Sequence, residues 1–182
     1  MMSQFGSAVE YALHCILYLA RMEGTEEGVA RSTRDIAEFQ NLSTDYVAKL
    51  FTRMEKAGLV TATEGVRGGF RLAREAEDIS VLDVVDAVEG PKPLFQCRDI
   101  RANCVLFDGK RPSWSSNGVC GIHAVMLQAD AAMRDSLAQN NLAQLTHHVI
   151  DVVPLAHQKA THNWFEERGA ARGQSHRAQN ER

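Results

Sequence analysis

Three cysteines and a carboxylate–imidazole pair are the residues of this chain best suited to chemistry. Cys97, Cys104 and Cys120 have six and then fifteen residues between them, within a stretch that lacks hydrophobic periodicity. These gaps do not match the short paired spacings of structural zinc sites. Clustered thiolates on an irregular loop suit a soft metal or an iron–sulfur centre, around which the loop can fold. His123, three residues after Cys120, is a candidate nitrogen ligand. Glu10 and His14 stand one helical turn apart, so both leave the same helix face and could meet one metal. Two ordinary explanations compete: Glu10 could close a capping box with Ser7, or the two could form a plain i,i+4 pair. The loop cysteines could equally be surface or buried fillers. Cys15 falls near an apolar stripe and reads as core. A metal-dependent hydrolase built on Glu10 and His14 would need a third helical ligand, a phosphate loop or a nucleophile motif. None accompanies them, so the chain does not read as an enzyme.

A second set of residues suits nucleic acid. Asp45, Tyr46, Lys49 and Arg53 lie opposite the stripe Val47, Leu50, Phe51 and Met54, and Ser43 stands at the start of the same helix. Arg67 and Gly68 lie among glycines at a hairpin tip, where a cation can enter a minor groove or grip phosphates. The net charge of −3 masks an asymmetry: residues 31–74 hold eight basic and five acidic residues, and the remainder is acidic. A mildly basic module on an acidic body is a pattern a DNA reader can use.

The elements that must position these residues follow from capping and periodicity. The spacing predicts helices over 7–22, from Ser32, after Ser43 to Gly58, and over 80–89. Two β-prone runs, 59–63 and 70–72, flank a glycine-rich tip and read as a wing. Residues 92–118 read as a long loop, of the kind that in compact domains is functional or disordered. A helix of about 20 residues follows, whose apolar stripe (Ile122, Val125, Met126, Ala129, Ala132, Met133, Leu137) is too long for one small module to cover, so a second subunit is the natural partner. The expected organisation is a winged helix-turn-helix over 1–90, a cysteine-bearing loop over 91–118, and a dimerisation helix with a C-terminal helix over 119–153. Residues 154–182 are expected as a polar, partly disordered tail. The fold class is mainly α with a small β wing. No apolar run of about 20 residues suggests a membrane span, and four cysteines without an export signal argue against a disulfide framework and for the cytoplasm.

These residues together resemble the bacterial iron–sulfur winged-helix regulators, the family of the IscR, NsrR and RsrR types. The resemblance spans about residues 5–150 and rests on Leu42-Ser43-Thr44-Asp45-Tyr46, Leu50-Phe51, Lys56-Ala57-Gly58-Leu59-Val60, Gly65-Val66-Arg67-Gly68-Gly69-Phe70 and the run from Ile79 to Gly90. It implies a homodimeric transcription regulator, a repressor, that binds a near-palindromic DNA operator. Its affinity would be switched by an iron–sulfur cluster sensing redox state or a small oxidant. Three loop cysteines usually serve such clusters, but the gap between Cys104 and Cys120 is longer than in the IscR and NsrR types. The segment Val9-Glu10-Tyr11-Ala12-Leu13-His14-Cys15 resembles the RsrR type, where a glutamate and a histidine of one subunit join two cysteines of the other on a two-iron cluster. Carried over, this makes Glu10, His14, Cys97 and Cys120 the ligand set and a 2Fe-2S rather than a 4Fe-4S cluster the cofactor. Cys104 and His123 are the competing ligands. The alternative keeps the fold without a cluster, under control of thiol oxidation or a protein partner.

Overall fold

The computed structural model describes residues 4–20, 30–65 and 68–180, with side chains described as far as Arg172. Among the described residues, eight α-helices and one two-stranded sheet follow in the order α1 (Ser7–Leu17), α2 (Thr33–Phe39), α3 (Thr44–Lys56), β1 (Val60–Thr63), β2 (Gly69–Leu72), α4 (Val81–Glu89), α5 (Ser113–Ser116), α6 (Gly121–Ala138), α7 (Leu142–Val152) and α8 (Leu155–Asn180). The chain divides into two compact units: residues 1–90 with 137–182, and residues 91–136.

In the first unit, the apolar stripes of α1 to α4 converge. Ile16 and Leu19, Ile36, Val47, Leu50, Phe51 and Met54, Leu59 and Val84 share one core with Ile79 and Leu142. Each such side chain removed from water contributes roughly 1.5–3 kcal/mol, which is what holds the short α2 in place. α4 carries a full capping box: Ser80 Oγ accepts from the Asp83 N–H, and the Asp83 carboxylate accepts from the Ser80 N–H. Gly90, at φ 75, ends it in a conformation that favours glycine. Antiparallel β1 and β2 pair Val60 with Leu72 and Thr63 with Gly69. Arg31 extends this ribbon by exchanging backbone hydrogen bonds with Phe70, both at 2.9 Å. The wing is thereby fixed to the entrance of α2.

Three expectations are corrected. The first helix begins at Ser7 with Gly6 as its cap, a residue with no side chain to make a cap bond, and the Gly6 N–H donates to Glu89 Oε1 at 2.6 Å. Ser7 and Glu10 therefore form no capping box; the helix ends at Leu17, and its predicted extension beyond residue 20 lies outside the described residues. The loop over 92–118 is broken by two 3-10 turns, Ile100–Asn103 and Val105–Phe107, and by the single turn of α5. The segment 154–182, expected as a polar and partly disordered tail, is helical from Leu155 to Asn180. Its Thr161 and Phe165 are buried, and Phe165 packs against Tyr18 and Phe39. That packing supplies the apolar burial that its composition conceals. Among the described residues no helix is long and apolar enough to cross a membrane.

Candidate nucleic-acid interface and metal ligands

α2, the turn Gln40 to Ser43 and α3 form the helix-turn-helix. Asn41 takes a left-handed conformation (φ 53) in that turn, and the Leu42 N–H returns to Ala37 O at 2.8 Å. Burial of Val47, Leu50, Phe51 and Met54 turns Asp45 and Lys49 outward, and both are exposed, as is Ser43. Tyr46 is half-buried, its ring meeting Tyr11 edge-on with centroids 5.9 Å apart. Tyr11 follows the metal candidate Glu10 in sequence, so α1 touches α3 at the DNA candidate Tyr46 one residue away from Glu10. Arg53 is committed elsewhere: its Nη1 donates to Val88 O at 2.7 Å, tying α3 to α4. In the wing, the Gly68 N–H donates to Gly65 O at 2.8 Å. A Cβ on Gly68 would stand 2.6 Å from Thr63 O and 2.7 Å from Gly65 O, so this position requires glycine. Arg67, the cation expected at the tip, lies outside the described residues.

Glu10 and His14 are both exposed on α1. Among the described residues no hydrogen bond or ion pair engages either. Cys15, next to His14, is fully buried, and burial pushes its thiol up to about 12, so it stays protonated and serves as core.

The second unit carries the three remaining cysteines. Cys97 and Cys120 are partly buried and Cys104 is exposed. Cys97 Sγ accepts from the Asp99 N–H, and Cys120 Sγ accepts from the His123 N–H, each at 3.4 Å. Amide donors aimed at sulfur stabilise thiolate and tune sulfur ligands. The Asp99 carboxylate is held by Arg111 at 2.6 Å and by Arg101 at 3.4 Å. The hydrogen bond from Arg111, with both guanidinium charges, keeps this carboxyl below its ordinary range. Arg101 also donates to Gly118 O at 3.5 Å and Arg111 to Ser115 O at 2.8 Å. This network clasps the two ends of the loop whose termini are Cys97 and Cys120. The His123 ring lies against Phe95, centroids 6.1 Å apart. Among the described residues of one chain, no three histidine, cysteine or carboxylate side chains converge as a metal cage. The donor chemistry of Cys97 and Cys120 fits a sulfur-bound iron centre.

Residues 5–148 match the Rrf2 family, described as iron-dependent transcriptional regulators. The chain is 36% identical over 135 residues to the protein rrf2 of Nitratidesulfovibrio vulgaris, covering 74% of this chain and 81% of that one. It is 28% identical over 159 residues to the HTH-type transcriptional regulator NsrR of Shouchella clausii, covering 87% of this chain and 98% of that one. In fold it is similar to the solved structure of T. potens IscR, with a TM-score of 0.60 at 22% identity, covering 86% of this chain and 96% of the other.

Proposed function

Because the chain belongs to the Rrf2 family of transcription regulators and carries a DNA-binding winged helix, we propose that it is a homodimeric repressor whose operator affinity is set by an iron–sulfur cluster shared between subunits. The observation that carries the cluster reading is the division of donors. A carboxylate–imidazole pair, exposed and with no partner among the described residues, stands on α1, and two cysteines with amide-supported sulfurs stand at the ends of the clasped loop.

Glu10 and His14 would supply an oxygen and a nitrogen from one subunit, and Cys97 and Cys120 two thiolates from its partner. The Asp99 and His123 amides would hydrogen-bond the two ligand sulfurs. When bound, a two-iron cluster supplies a one-electron redox change and with it a change of charge. Tyr11, adjacent to Glu10 and packed on Tyr46, gives α1 a direct contact with the reading helix. A shift of α1 by a few tenths of an ångström would reach Tyr46 through that contact, since packed side chains transmit small displacements.

α6 supports the dimer. None of its residues is buried, and Ile122 and Val125 are 68% and 62% exposed, with Leu127 also open. An apolar helix face of this kind calls for a partner surface, and a two-fold axis repeats it on both subunits. Two reading heads then address two half-sites of a near-palindromic duplex, with α3 in the major groove and the wing beside it.

Anaerobic purification tests this proposal. The expected product is coloured, with visible absorption and about two iron and two sulfide per bound cluster, as a two-iron centre requires. A colourless, iron-free protein that still binds its operator would favour control through the cysteine thiols instead.

A further inference from the structure

The helix α8 lies wholly beyond the family-matched residues 5–148, yet it packs on α2, the leading helix of the DNA-reading pair. Phe165 and Trp164 cover Phe39, with ring centroids 5.1 Å away in each case. Arg31, buried at the entrance of α2, stacks its guanidinium 4.1 Å above the Phe165 ring. From this apolar anchor α8 runs antiparallel to α2 and delivers two arginines to its two acids. Arg168 grips Glu38 with both terminal nitrogens, at 2.6 and 2.5 Å, while stacking 4.6 Å above Trp164. One turn further, Arg172 pairs with Asp35, whose side chain is only 5% exposed.

The location gives these pairs an electrostatic consequence. In a helix-turn-helix the first helix crosses the phosphate backbone, so unpaired carboxylates on it oppose DNA within a Debye length. Residues 31–74 hold five acids against eight basic residues, and Asp35 and Glu38 are two of the five. Pairing both leaves the module with a clear positive excess. We infer that α8 is part of the DNA-reading head, and that Arg168 and Arg172 raise DNA affinity by masking the carboxylates of Glu38 and Asp35. The anchor residues Trp164 and Phe165 set the register that brings each arginine to its acid.

The Arg168–Glu38 pair is the one to test, because both partners are partly exposed and surface pairs contribute little to stability. Binding of the full-length protein to a mixed-sequence DNA duplex is the readout, since non-specific affinity reports the electrostatic contribution directly. Arg168→Gln is expected to weaken duplex binding by about threefold to tenfold at low salt, with the loss shrinking as salt rises and the melting temperature unchanged. Adding Glu38→Gln to the same chain is expected to restore affinity to within about twofold of wild type, although the ion pair is still absent. A purely mechanical brace would leave the double variant as weak as the single one, and that result overturns the inference. Wild-type affinity for Arg168→Gln also overturns it. Should Arg168→Gln melt early, Glu38→Gln alone decides: it must bind the duplex at least as tightly as wild type, and weaker binding contradicts masking. Failure of the wild-type protein to bind any duplex would instead count against DNA binding itself.

Discussion

Glu10 has no capping role in α1, because the N-cap is Gly6 rather than Ser7, which places Glu10 one position beyond the capping-box site. That leaves a carboxylate and an imidazole exposed on one helix face with nothing engaging them among the described residues. If they hold iron across the subunit boundary, His14→Ala abolishes or strongly perturbs the visible spectrum and Glu10→Gln alters it, while His123→Ala leaves it largely intact. Bleaching by His123→Ala but not by His14→Ala would move the nitrogen ligand to the start of α6. The identities of these candidates were legible as residue types at helical spacing. The sulfur environment was not. Cys97, Cys104 and Cys120 look alike in sequence, and only the backbone shows that two of them accept amide hydrogen bonds while Cys104 stands exposed. Nor did spacing show that Arg53, apparently on the free face of the reading helix, spends its guanidinium on the Val88 carbonyl.

Among the elements, α3 was readable from its stripe, with Val47, Leu50, Phe51 and Met54 all buried, and α4 from its cap, the Ser80 and Asp83 capping box that forms in full. α8 escaped because its mean composition is polar. Its signal was a narrow one, Thr161, Phe165, Arg168 and Arg172 at successive three- and four-residue steps, which marks one face without making it apolar. The reading helix and the wing make separable predictions. Lys49→Ala should reduce discrimination between operator and random duplex with the melting temperature held, since Lys49 is exposed and packs on nothing in the core. Arg67→Ala should cost about 1–3 kcal/mol of operator binding if the tip reads a groove, or shallow the salt slope by about one if it meets a phosphate. Unchanged affinity and slope for Arg67→Ala would remove the wing from the interface.

At the scale of the whole molecule, the reading head and the cysteine loop belong to different compact units, and α6 follows the loop with Ile122, Val125 and Leu127 exposed. On the proposed reading, ligands from two chains would join the loop to the reading head, so a test of the ligand set is also a test of the dimer. A ligand shifts an equilibrium only by its differential affinity for two states, so a redox sensor must bind DNA differently in its two oxidation states. The most direct test is therefore operator affinity of the anaerobically purified, coloured protein, measured before and after stoichiometric chemical reduction on a duplex selected from a random pool. The account predicts a change of at least about fivefold between the two states, lost in His14→Ala. Equal affinity in both states, with the spectrum confirming that the electron was taken up, would contradict it.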